Sequence, residues 1–271
     1  MPRPSPVKTG ANQLGVPVAE FDDLQNALGR LERLKPDLGI VIAYGRLIPS
    51  TLLRLAPHGL LGLHPSLLPK YRGASPVAWA ILNGEAVTGE TVFRLNERLD
   101  AGDVLLQRAV PLEPRTTAIA LADQLAQLGA ELLLDAIERV EQGQAHFHPQ
   151  DETQATYAPK LTKAHGQIDW QAQAAVIDRL VRGTTPWPGA YTVWRAQLLK
   201  VWETSYNAQH HNRQGQPGKL LAASADGLVV STGSGTLTIQ ELQVAGGRRM
   251  TVREFLAGHD MRVGEILGRE S

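Results

Sequence analysis

The 271-residue chain has no cysteine, which excludes both a disulfide framework and a Cys-based zinc site. That absence fits a reducing, cytoplasmic setting. No apolar run approaches the ~20 residues that cross a bilayer, so no membrane role is expected. Arg3 and Lys8 lie among prolines with no apolar stretch behind them, unlike a secretory signal. Net charge is also missing, since 27 Lys+Arg balance 27 Asp+Glu. The balance is uneven along the chain: 14 basic against 18 acidic residues over 1–157, then 13 against 9 over 158–271. A basic lobe behind an acidic one suits a polyanionic substrate, and ordinary scatter over such lengths gives the same excess. A further absence is architectural. The chain opens in a loop, without the strand–turn–helix unit that begins a doubly wound nucleotide-binding-like fold.

What is present reads as an ordinary globular protein, 43% apolar and 20% charged. Helices are predicted over 7–14 and 23–35, the second with Leu24, Leu28, Leu31 and Leu34 on one face. The apolar run 38–44 predicts a parallel strand covered on both faces. A short helix (49–55), a strand (59–63), a helix (76–83) and strands at 90–95 and 104–110 follow. A long amphipathic helix over 116–142 carries Leu121, Leu125, Leu128, Leu132 and Ile137 as its stripe. This alternation predicts an α/β domain with a parallel-centred sheet over 1–143. Residues 144–165 are polar and aperiodic, a linker by composition. Beyond it, a helix at 172–181 precedes five short strands between 191 and 242 and a closing helix near 251–257. Five such strands predict a small OB-like β-barrel domain over 166–271.

The candidate chemistry lies at the end of the 59–63 strand. It delivers His64 into a loop held by Pro65, Pro69 and Gly73, and 36 residues on a second polar turn carries Asp100. Strand ends that open into fixed polar loops are where open α/β sheets place ligand sites. His64 offers a proton carrier, and Asp100 a carboxylate to orient it. Taken singly, such a histidine is more often structural, and an Asp-x-Gly turn is usually only a turn.

The longer strings change that weighing. His64-Pro65-Ser66-Leu67-Leu68-Pro69-Lys70-Tyr71-Arg72-Gly73-Ala74, followed by Leu99-Asp100-Ala101-Gly102-Asp103, resembles the formyltransferase family that uses 10-formyltetrahydrofolate. Tyr157-Ala158-Pro159-Lys160, Pro186-Trp187-Pro188-Gly189-Ala190 and Gly246-Gly247-Arg248-Arg249-Met250 extend the likeness to the methionyl-tRNA formyltransferases within it. The resemblance implies a Rossmann-like formyltransferase domain lacking its first strand–helix unit, then an OB-like tRNA-binding domain. It implies formyl transfer from 10-formyltetrahydrofolate to the amino group of methionyl initiator tRNA; no metal is expected, and nothing in the sequence suggests more than a monomer.

It also implies residue roles. His64 and Asp100 fall on the family's catalytic positions, the Asp raising the imidazole's pKa to favour a cationic donor where an oxyanion develops. A third catalytic position, an Asn in the family, is Gly62 here. Losing one oxyanion donor typically costs roughly 10²–10³ in rate, and glycine would leave space for a water. Ser66, Leu67, Leu68 and Pro69 match the folate-binding strip, with Tyr44, Leu99 and Gly102 beside it. Tyr71 and Arg72 either line that cleft or brace it. Arg248, Arg249, Lys8 and Arg3 are the tRNA-binding candidates. Trp170, Trp187 and Trp202 are weighed as core rather than as stacking platforms for nucleotides, and His210-His211 as without a metal role. Two other readings stay open: formyl transfer to an amino-sugar nucleotide, and an impaired tRNA- or folate-binding remnant.

Overall fold

The computed structural model describes residues 4–207 and 215–268; Arg3, His210 and His211 lie outside the described residues. Helix α1 (Pro6–Gln13) starts where the Ser5 hydroxyl accepts a hydrogen bond from the Lys8 amide. Helix α2 (Leu24–Leu34) is capped by Asp23 and ends as Lys35 turns left-handed, φ 48°. Strand β1 (Gly39–Val41), helix α3 (Ser50–Leu53), strand β2 (Leu60–His64) and helix α4 (Pro76–Leu82) follow. Strands β3 (Val87–Arg94) and β4 (Val104–Pro111) then lead into helix α5 (Ala118–Glu141).

The four strands form one sheet in the order β1-β2-β3-β4. The α/β class stands, but only β1 and β2 are parallel; β2–β3 and β3–β4 pair antiparallel. Helix α5 covers one face of the sheet, its Leu132, Leu133, Ala136 and Val140 packed with Leu61, Val92 and Leu105. Of the expected stripe, Leu121, Leu125 and Leu132 are buried, while Leu128 and Ile137 pack at its margin.

The run 38–44 departs from expectation. Only three of its residues are strand, and Ile40, Ile42 and Tyr44 are 39%, 55% and 39% exposed. Among the described residues β1 pairs with β2 alone, and α1 and α2 between them bury only Ala27. The apolar run therefore stands at a sheet edge, with Leu38 packed against the core under α5 while Ile40, Ile42 and Tyr44 stay exposed.

The second unit opens with helix α6 (Ala174–Thr184). Strands β5 (Ala190–Trp194), β6 (Gln197–Asn207), β7 (Leu220–Ser224), β8 (Gly227–Ser231) and β9 (Thr236–Val244) are the five expected from sequence. They form an antiparallel sheet ordered β5-β6-β9-β8-β7, with a short sixth strand β10 (Met250–Thr251) on β9. Helix α7 (Val252–Gly258) closes the core, its Phe255 edge-on to Trp194 at 5.4 Å. Trp170 is core as expected, donating to the Thr192 hydroxyl, whereas Trp187 stands 52% exposed on its proline-rich turn.

Asp178 on α6 joins the two units. Fully buried, its carboxylate accepts from Arg182, Arg115 and the Thr204 hydroxyl, at 2.8, 3.2 and 2.9 Å. Arg115 lies in the loop between β4 and α5 and Thr204 on β6, so one satisfied anion ties that loop and the second sheet to α6.

Candidate active site

The register of β2 on β3 decides which side chains face the site. Leu61 enters the core under α5, so the alternation along β2 sends Gly62 and His64 to the opposite face. Opposite them on β3 are Phe93 and Thr91.

His64 is buried and fixed. Its Nε2 lies 2.9 Å from the Tyr71 carbonyl, which can only accept, so Nε2 carries the proton. Nδ1 faces Asp100 Oδ2 at 3.7 Å, beyond hydrogen-bond distance. Asp100 Oδ2 is held instead by the Gly73 amide at 2.8 Å. Burial pulls the imidazole below its ordinary value, against the opposing pull of the Asp100 charge and the Tyr71 hydrogen bond. The ring is therefore neutral near neutral pH, with Nδ1 a bare acceptor beside a carboxylate. This corrects the cationic donor expected from sequence: desolvation outweighs the neighbouring charge. The arrangement is that of a general base whose protonated form has its counterion ready.

The loop after His64 is bolted to β3. The Thr91 hydroxyl donates to the Ser66 carbonyl (2.6 Å) and accepts from the Leu68 amide (3.1 Å) and the Gln107 amide (2.9 Å). Ser66 and Leu68 are buried within the fold, the Ser66 hydroxyl donating to the Lys70 carbonyl, while Leu67 and Pro69 keep part of their surface open. Tyr71 turns left-handed (φ 60°) and sends its hydroxyl to Glu85 at 2.7 Å. Burial, with the Glu85 carboxylate raising it and the Asn83 hydrogen bond opposing, pushes that phenol up to about 12. Tyr44 and Leu99 are exposed at loop positions. Gly102 is there for packing, since a Cβ would meet the Arg94 carbonyl at 1.7 Å.

Gly62 is not open space. A Cβ there would lie 2.7 Å from both Phe93 Cε1 and Leu95 Cδ1. The expected room for a water beside His64 is filled by an aromatic ring and a leucine.

The other candidates are scattered. Lys8 pairs with Glu20, distant in sequence from the loops of His64. Arg248 pairs with Glu254, and Arg249 with Glu241, on the second unit. Arg249 also lies over the Trp202 ring at 5.3 Å, with Lys200 on the same ring at 5.7 Å. Arg72 braces rather than lines: its guanidinium is buried against Gln150 and Glu152. Gln150, Thr156, Thr91 and Phe93 escaped the sequence reading. Polar residues in an aperiodic stretch and a hydroxyl mid-strand carry no local signal of what they meet.

Comparison with known proteins adds the following. Residues 9–137 match the family described as "Formyl transferase", and residues 160–260 match "Formyl transferase, C-terminal domain". A curated methionyl-tRNA formyltransferase of Desulforamulus reducens is 42% identical over 273 residues, spanning 99% of this chain and 85% of that protein. One from Acetivibrio thermocellus is 44% identical over 240 residues, 88% of this chain and 76% of that one. Among solved structures, HypX from Aquifex aeolicus in complex with tetrahydrofolic acid superposes with a TM-score of 0.67 at 24% identity. That match covers 91% of this chain but only 43% of HypX. WlaRD, a sugar 3N-formyl transferase, gives a TM-score of 0.68 at 14% identity, covering 86% and 80% of the two chains.

Proposed function

The chain belongs to the formyltransferase family, and on that premise we propose that it transfers a formyl group from 10-formyltetrahydrofolate to the amino group of methionyl initiator tRNA. It would do so as a cytoplasmic monomer serving translation initiation. Support comes from identity of about 40% to curated methionyl-tRNA formyltransferases along nearly the whole chain. The observation that carries the chemistry is the buried His64, its Nε2 proton committed to Tyr71 and its Nδ1 bare beside Asp100.

The residues suit the donor. Thr91 and Gln107 satisfy the main chain of 66–68 from within, leaving Leu67 and Pro69 as a partly open apolar strip for a flat ring system. When bound, the donor supplies an electrophilic formyl carbon. His64 Nδ1 takes the proton that the attacking amine sheds, and Asp100 stabilises the imidazolium so formed. The same nitrogen returns the proton to the departing amine, so the ring ends neutral. Phe93 and Leu95 keep water from the Gly62 side. On the second unit, Arg249 and Lys200 lie over Trp202 with Arg248 next in sequence, and the two arginines would exchange their present carboxylate partners for tRNA phosphates.

The test offers the full chain 10-formyltetrahydrofolate with either methionyl initiator tRNA or a nucleotide-linked amino sugar. Formyl-methionine on the tRNA, with the sugar untouched, is the expected result. Formylation of the sugar alone would move the chain to the other acceptor class, and tRNA binding without turnover would leave a non-catalytic remnant.

A further inference from the structure

The polar stretch 148–158, read from composition as a linker, is fastened along both loops that face His64. His148 bridges Val104 at the start of β4 by two main-chain hydrogen bonds, 2.8 and 2.9 Å. Gln150 then uses its whole side-chain amide. Its Oε1 accepts from Arg72 Nε and Nη2 at 3.1 and 2.7 Å, and its Nε2 donates to the carbonyls of Asp100 and Gly102 at 2.9 and 2.7 Å. Glu152 takes Arg72 by both carboxylate oxygens, each at 3.1 Å. Thr156 accepts the Tyr71 amide on its hydroxyl at 2.8 Å and the Arg72 amide on its carbonyl at 2.9 Å. Ala158 closes the run, its amide donating to the Arg72 carbonyl at 2.7 Å.

Two of these bonds fall on unusual backbone. Tyr71 and Asp100 are both non-glycine residues in the left-handed region, φ 60° and 49°. Such conformations persist only where surroundings over-determine them. They are also the two residues that face the imidazole, Tyr71 by its carbonyl and Asp100 by its carboxylate. Each is held from the far side by this one strap, Tyr71 through Thr156 and Asp100 through Gln150.

We propose that Gln150 and Thr156 are positioning residues, which fix the orientation and tautomer of His64 by holding the two left-handed turns that face it. The proposal deepens the reading of His64 as the base and rests on it for its kinetic consequence. Arg72 is the crossbeam: buried, it anchors Gln150 and Glu152 so that the strap cannot slide along the loops.

The experiment uses the full chain with Thr156→Val, Thr156→Ser and Gln150→Glu. Gln150→Glu keeps the acceptor for Arg72 and loses both donors to the turns. Thr156→Val keeps the shape and loses the hydroxyl. Nitrogen-15 NMR of the histidine rings, with the His64 signal identified by its loss in His64→Gln, reads the tautomer without any substrate. The wild type and Thr156→Ser are expected to show His64 protonated on Nε2 alone, and the other two variants a mixture of tautomers. In formylation, kcat of those two falls about 10–100-fold, the cost of a small misplacement, with KM for both substrates unchanged. Folded variants that keep the single Nε2 tautomer, or lose kcat and KM together, overturn the proposal. If Gln150→Glu does not fold, the near-isosteric Thr156→Val decides alone. A wild type that forms no formyl-methionyl-tRNA counts against the proposed function only, since the tautomer reading is independent of turnover.

Discussion

Glu90 lies on the α5 face of β3, 2% exposed, and its Oε2 has no hydrogen-bond partner. Arg108 is its cross-strand neighbour, but that guanidinium is taken by Glu131 and Asp135 of α5. Burial alone then pushes the Glu90 carboxyl up to about 8 from an ordinary 4.5. Between those values the folded chain keeps a proton that the unfolded chain has lost, so stability falls as pH rises. Glu90→Gln removes that proton linkage. Melting temperatures between pH 5 and pH 9 should fall more steeply for the wild type than for the variant; parallel curves would contradict the account. The same physics separates what could and could not be read of His64 beforehand. Its pairing with Asp100 was legible as two polar loops at a family spacing. The direction of its pKa was not, because burial is a property of the packed fold and not of the residues on either side.

The pairing of β2 with β3 works at the next scale up. Gly62 sits directly across from Phe93, so the absence of a side chain on one strand is matched by bulk on the other. Gly62→Asn alone overpacks this face, at a cost of about 1–3 kcal/mol, because Phe93 and Leu95 must move. Combined with Phe93→Leu it should lose less than the sum of the two single changes, as residues in contact do. Thermal melts of the three variants check this, and strict additivity would show that the ring does not fill the Gly62 site. Sequence showed the glycine and the apolar strand but not their register. Helix α5 was legible for the opposite reason, since its stripe is set by its own periodicity. The run 38–44 misled because apolar texture reports what a segment can bury, and among the described residues β1 has a partner on one side only.

Across the whole molecule, two units meet through Asp178 on α6 and through the strap that runs from the first unit toward the second. The strap explains why a polar, aperiodic composition was a poor guide. Gln150, Glu152 and Thr156 satisfy loop groups far away in sequence, even though Glu152 and Thr156 also stand exposed to solvent. The second sheet was visible from strand texture alone, its sixth strand excepted, since two residues at Met250–Thr251 carry no periodicity. The proposed function rests on a neutral His64 acting as base in a formyl transfer. The most direct test is single-turnover formylation of methionyl initiator tRNA by the intact chain across pH, beside His64→Ala. The account predicts a wild-type rate that is level at neutral pH and falls only on acidification below His64's ordinary 6.5, with no detectable turnover by the variant. A rate that increases on acidification, or a His64→Ala chain that turns over like the wild type, would contradict it.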